Sequence, residues 1–268
     1  MSKTMPTEIV IWLPVTFGLL MNLAYLSITG FPDTDWNALL YPIIICGIIA
    51  ILSEILFVVG IRTNEFSIGM PLLAFIPVFA LIFAYLFYGE IPAREAGVGI
   101  ALVVLGAYIL GMEPPLKLKK IFQPLVMLTS SNGPRTMLAA AITGALIFVV
   151  QRSGVKHSSP VFFFTILIFI EWIFFGIVIL KKRQKLPKKK DFPLVAMTGI
   201  AWGLGLTLVY ASYHYTLAAY AASIMQLNIL ISIPVGFIFF REGAFKQRIT
   251  AVSVMLLGAA IVAFYSAK

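Results

Sequence analysis

The sequence predicts an all-α polytopic membrane protein of about nine transmembrane helices arranged in two repeats, four helices followed by five. Three observations carry that expectation. The 268 residues are 60% apolar and only 12% charged, with a mean hydropathy of +0.99, whereas a soluble domain needs roughly 25% charged residues. The apolar residues fall into runs of about 20, the length at which a helix crosses a ~30 Å hydrocarbon core. Matched punctuation also recurs 152 positions apart: Gly89-Glu90 with Gly106 in the first half, and Arg241-Glu242 with Gly258 in the second. Internal repetition of this kind is a common plan of membrane carriers, with cargo held where the repeats meet.

Nine runs are long enough to span, at about 8–29, 37–61, 66–89, 95–112, 134–153, 160–181, 192–215, 218–240 and 247–266. Backbone inside lipid must satisfy its own hydrogen bonds, so runs this apolar are expected to be helices. The alternation of a membrane barrel is absent. The first run is a span rather than a cleaved leader, because its core exceeds the usual 7–15 residues and no small-residue cleavage pattern follows. Turn formers and charges separate the runs, as in Phe31-Pro32-Asp33-Thr34-Asp35, Gly89-Glu90-Ile91-Pro92 and Lys185-Leu186-Pro187-Lys188. Residues 1–112 form the first repeat and 134–268 the second. Between them, 113–133 is a linker whose segment Ile121–Val126 is suited to rest at the membrane surface.

Under the offset of 152, the first span maps onto the sixth and spans two to four map onto seven to nine. The fifth span has no counterpart, and a ten-helix protein lacking its first helix would have this pattern. The loops fix an orientation. Sixteen of the 20 Lys and Arg residues fall on the side of the N-terminus, seven of them between Lys181 and Lys190, against four on the other side. The positive-inside rule then puts the N-terminus in the cytoplasm and the C-terminus outside, with the cell membrane as the expected location. This distribution explains the net charge of +9 through loops and anionic lipid headgroups, and no nucleic-acid partner is expected. The lone cysteine, Cys46, excludes an intramolecular disulfide framework. With only two histidines, no metal site and no cofactor are expected.

The two repeated endings resemble the EamA domains of the drug/metabolite transporter superfamily. The likeness is carried by Pro71-Leu72-Leu73-Ala74-Phe75-Ile76-Pro77 running into Gly89-Glu90 and then Gly97 to Leu110. In the second half it is carried by Ala222-Ser223-Ile224 through Pro234 to Glu242, and by the Leu257-Gly258 helix. Gly133-Pro134-Arg135 followed by Arg152 to Pro160 is similar to the start of the second domain in that family. The resemblance implies two inverted repeats that move small metabolites by alternating access, although the family's usual form has ten helices and both termini in the cytoplasm. It names no cargo.

Within the spans, two carboxylates stand out, Glu54 in the second and Glu171 in the sixth. Placing a charge near the bilayer centre costs at least ~2.5 kcal/mol, so an intramembrane acid is read first as a proton site or as an anchor for a cationic group. The plainer alternative is a carboxyl hydrogen-bonded between helices. Ser223, Gln226 and Asn228 share overlapping faces of the eighth span, where uncharged polar groups either join helices or touch substrate. The resemblance places that helix at the central cavity, and Asn22 in the first span is a candidate of the same kind. Trp202 and Tyr210, with Tyr213, His214 and Tyr215, form either a cation–π wall or an interfacial aromatic belt. Pro71, Pro77 and Pro234 can kink their spans. Glu90 and Glu242 suit the N-termini of the helices that follow them. Gly106, Gly258 and the Gly199/Gly203 pair suit close helix packing.

No nucleotide-binding loop, zinc-protease motif or nucleophile elbow is present, so no enzyme is expected. The reading is a secondary carrier of small organic metabolites, its cavity lined from spans two, six, seven and eight. The alternatives are a flippase for a lipid-linked substrate and a non-transporting membrane partner protein. The sequence leaves any homodimer open.

Overall fold

A computed structural model describes residues 6–62, 72–111, 132–184, 192–213, 215–225 and 245–266, with single positions at 122, 126, 129 and 186. Helices occupy nearly all of it. In chain order they are α1 Thr7–Thr29, α2 Trp36–Arg62, α3 Ile76–Tyr88, α4 Arg94–Gly111, α5 Asn132–Lys156, α6 Pro160–Lys181, α7 Phe192–Ser212, α8 Ala218–Met225 and α9 Phe245–Ser266. Five of them (α1, α2, α5, α6 and α7) are long and apolar enough to cross a membrane.

The helix ends follow from local chemistry. The Asp35 carboxylate accepts from the backbone N–H groups of Asn37 and Ala38 at 3.2 and 3.3 Å, closing the N-terminus of α2. Ser159 does the same for α6 through Phe162 N–H at 3.2 Å, with Pro160 in the first turn where its missing N–H costs nothing. Gly89 ends α3 in the left-handed region (φ 63°), where a side chain would be strained. Glu90 directs its own N–H back to Ala84 O at 3.2 Å, four residues before α4 begins.

One expectation needs correction. Pro77 does not kink a continuous third span. The chain turns at Ala74-Phe75, and Pro77 lies in the first turn of a new helix, α3. Proline has no N–H to lose at that position, which makes it a starter there and not a breaker. Beyond the first turn, the prolines inside described helices are Pro14 in α1 and Pro42 in α2. Pro71, Pro234 and Glu242 lie outside the described residues. Of the linker before Asn132, only Phe122, Val126 and Thr129 are described, and Val126 N–H bonds Phe122 O at 2.9 Å.

The helices sort into two compact units, and each unit draws on both halves of the sequence. The first comprises residues up to 62 together with 150–214, and the second comprises 63–149 together with 215–268. In the first unit α1 packs on α6 and α7, and α6 packs on α2. In the second, α4 lies against α9 and α3 against α8. Tyr220 of α8 accepts the Ala93 N–H at 3.1 Å. Ala80, Ala84, Ala96, Ile100 and Ala145 fill the space between.

Small residues set these contacts. A Cβ on Gly258 would sit 2.6 Å from Gly99 O, and one on Gly99 would sit 2.7 Å from Gly258 O. Gly106 meets Ala251 O at 2.7 Å in the same sense. Shifting Gly99 and Gly106 by 152 gives Ala251 and Gly258, so the two contacts exchange under the repeat. The first unit behaves alike. Gly199 and Gly203 of α7 closely admit Pro14 O and Gly18 of α1, while Gly47 of α2, offset-related to Gly199, makes an ordinary contact with Ile170 of α6, offset-related to Gly18.

Substituting Gly258 with alanine forces its new methyl into backbone that cannot retreat, and overpacking of this kind typically costs 1–3 kcal/mol. Gly97, on the same helix pair but with open space beside it, tolerates alanine and gains about 0.5–1 kcal/mol from helix propensity. Thermal unfolding in detergent should therefore rank Gly97→Ala at or above the unaltered protein and Gly258→Ala clearly below it. Equal melting temperatures would show that the crossing is looser than described.

Candidate functional site

The side chains of α2 divide cleanly into two stripes. Leu40, Ile44, Ile48 and Leu52, spaced by four, are each about half exposed. Such a band of bare aliphatic groups faces lipid in an integral membrane protein. Cys46, Ala50 and Val58 form the opposite, buried stripe, and Glu54, half-buried, falls between Ala50 and Val58 in the same spacing. On α6, Phe164, Ile168, Phe175 and Ile179 are buried, and Glu171 lies among them at 5% exposure. Phe169, Ile173, Phe174 and Ile177 point outward. Helical spacing thus turns both carboxyls into the first unit, and they interact electrostatically. The Glu171 Oε2 atom is buried and has no hydrogen-bond partner among the described residues.

Asn22 adds a second incomplete polar group. It is 1% exposed. Its Oδ1 accepts the Thr207 hydroxyl at 3.3 Å, while Nδ2 has no partner among the described residues. A buried donor left unmade costs about 1–3 kcal/mol, so its retention calls for a reason. The single Thr207 proton is shared with Gly203 O at 2.8 Å, the shorter of the two contacts, which anchors the hydroxyl to α7 whatever Asn22 does.

A cavity of about 220 Å³ opens beside Glu54, lined by Pro14 and Val15 of α1, Phe57 of α2 and Trp202 of α7. Pro14 supplies no N–H to its helix, and its carbonyl receives the close approach of Gly199. Trp202 meets Phe164 at 5.8 Å with the rings tilted by 56°, and Phe164 in turn meets Tyr210 at 4.7 Å. Tyr213 donates to Gln151 Oε1 at 3.3 Å, with both groups buried. Tyr210 and Tyr213 are interior residues, 2% and 1% exposed, whereas Tyr215 is 85% exposed. The aromatic cluster therefore splits between the core and the outside.

The first unit collects Glu54, Glu171, Asn22, Trp202 and Tyr210. Ser223 belongs to the second unit, fully buried, with its hydroxyl donating to Ala219 O of its own helix at 2.7 Å. Gln226, Asn228 and His214 lie outside the described residues. Sequence reasoning passed over Thr207 and Gln151. Gln151 had a signal, an amide directly after the apolar run Leu146 to Val150, but Thr207 has none, since a hydroxyl in a span ordinarily bonds its own helix.

Helices with bare aliphatic outer stripes and a polar interior define an integral membrane protein, and the repeated contacts define one built from two copies of a motif. The chain belongs to the EamA-like transporter family, whose model matches residues 1–112 and again 133–264. Membership places it with the drug/metabolite transporters, which act on small substrates within a membrane. A solved crystal structure aligns over 100% of this chain and 91% of its own, at 12% identity and a TM-score of 0.73. At that identity the likeness is one of fold. No curated protein matches the chain.

Replacing Asn22 with leucine removes the unsatisfied donor, keeps the same branching at a larger volume and leaves Thr207 bonded to α7. We expect the melting temperature in detergent to hold or rise by a few degrees. A fall of several degrees would mean that the Asn22 amide is a structural tie.

Proposed function

We propose that the protein is a secondary transporter of small organic metabolites working by alternating access between two inverted repeats, with Glu54 and Glu171 as its coupling or recognition carboxyls. One observation carries the reading. Two acids from different repeats lie on the inward stripes of α2 and α6 and interact electrostatically, Glu54 half-buried and Glu171 buried with its Oε2 unpaired among the described residues. A purely structural acid would be expected to satisfy both oxygens. The orphan acceptor of Glu171 and the orphan donor of Asn22 match a cargo or coupling ion that brings the missing partners. A protonated amine brings donors, and a proton alone converts a carboxyl into a donor.

Trp202, Tyr210 and Phe164 supply aromatic faces of the kind that attract cations. The family assignment supports the transport reading, and the 16-to-4 distribution of cationic residues supports a cytoplasmic N-terminus in the cell membrane. Nine spans, four in the first repeat and five in the second, then place the C-terminus outside.

The test is uptake or efflux in vesicles, preceded by a thermal-shift screen of the purified protein against amines, amino acids, nucleosides and sugar phosphates. A ligand at a hundred times its dissociation constant raises stability by ~2.7 kcal/mol. We expect one chemical class to shift the melt. Glu171→Gln and Glu54→Gln should each abolish its transport, at least a hundredfold, while the folded protein remains in the membrane. Full transport by both variants would sink the assignment of the carboxyls.

A further inference from the structure

A larger cavity lies on a different face of the first unit. It holds about 590 Å³ and is lined by Trp12 of α1, by Trp172, Gly176, Ile177 and Leu180 of α6, and by Arg183 and Gln184 just beyond α6. Its wall is oily for a specific reason. The indoles of Trp12 and Trp172 stack at 5.9 Å. Trp12 Nε1 donates to Trp172 O at 3.0 Å and Trp172 Nε1 to Thr16 Oγ1 at 3.1 Å. Both indole N–H groups are spent, so the pair offers only ring surface. Gly176 keeps the slot open, since a Cβ there would lie 3.1 Å from Trp12 Nε1. From Trp172 to Leu180 the groove runs along two turns of helix, about 12 Å.

Its mouth has the opposite character. Lys181, Lys182 and Arg183 end α6 together, all exposed. Glu8 is paired with Lys182 and accepts from Gln184 Nε2 at 3.0 Å. Lys182 is answered by Glu8, so Arg183, the cation among the described lining residues, leaves the mouth positive. Arg183 is held in the left-handed region (φ 48°), a conformation that costs a non-glycine residue of order 1 kcal/mol or more.

A long apolar slot that ends in uncompensated positive charge, on the outside of a membrane protein, fits one kind of molecule. We propose that this groove binds an anionic phospholipid, its acyl chain along Trp12, Trp172 and Ile177 and its phosphate at Arg183. The site is separate from the Glu54 cavity, which shares none of its lining residues. A neutral lipid would fill the slot but leave the cationic mouth unanswered, and a free phosphate would leave the slot empty.

The two tryptophans make the site self-reporting, because bromine on an acyl chain quenches an indole it touches. The full chain, carrying Trp36→Phe to silence the other exposed indole, is reconstituted in phosphatidylcholine vesicles. These are doped with brominated phosphatidylglycerol or brominated phosphatidylcholine. A single basic side chain at the surface favours an anionic lipid about fivefold, and at low salt we expect a preference of at least that size. It should fall towards unity in Arg183→Gln and at high salt. Equal quenching by the two lipids at low salt would overturn the proposal. So would a preference that survives Arg183→Gln, or one abolished by millimolar inorganic phosphate at constant ionic strength. Should Arg183→Gln fail to fold, the salt titration of the chain with native Arg183 decides alone.

Discussion

Everything in this molecule depends on how closely two helix backbones can approach. Apolar burial gives little drive for one helix to seek another in lipid, because the tails are as apolar as leucine. What remains is dispersion at short range, and it needs small residues at the crossing. The chain supplies them where they count, at Gly18, Gly199 and Gly203 in the first unit and at Gly99, Gly106 and Gly258 in the second. The second-unit contacts are so close that an added methyl would meet backbone carbonyls. Those crossings fix which stripe of each helix turns inward, and hence which residues share an interior.

The interior polar groups can then be understood as passengers on those stripes. Cys46, Ala50, Glu54 and Val58 repeat every four residues, so any packing that buries the first two also turns Glu54 inward. The same logic turns Glu171 away from the lipid-facing Phe169 and Phe174. Asn22 follows from the crossing of α1 with α7, which brings it opposite Thr207. Glu171 and Asn22 each keep an atom without a partner among the described residues, whereas the Tyr213–Gln151 pair and Ser223 have found partners inside the protein.

Much of the architecture was legible in the sequence because lipid permits so few solutions. Apolar runs of span length must be helices, and the ends of α1, α2, α6 and α7 fall within a few residues of the runs that predicted them. The interior stripe of α2 is also marked by its smaller residues, Cys46, Ala50 and Val58, whereas Phe and Ile occur on both faces of α6. Pro77 was misread because a proline in an apolar run looks the same whether it bends a helix or starts one. The turn at Ala74-Phe75 has no glycine or polar residue to announce it. Thr207 and the groove beside Trp12 were invisible for another reason. They exist only where residues some 160 to 185 positions apart meet, and no local pattern encodes such a meeting.

The repeat offset pairs Glu54 with Leu206 and Glu171 with Leu19, so neither acid has a twin. A symmetric pair of separate subunits could not be arranged this way. Each acid would appear twice, doubling an insertion cost of at least ~2.5 kcal/mol per intramembrane charge and placing four carboxyls around one axis. Joining both copies of the motif in a single chain removes that obligation. The backbone keeps the economy of a duplicated design while each side-chain position becomes free to specialise, so chemistry and scaffold can diverge independently.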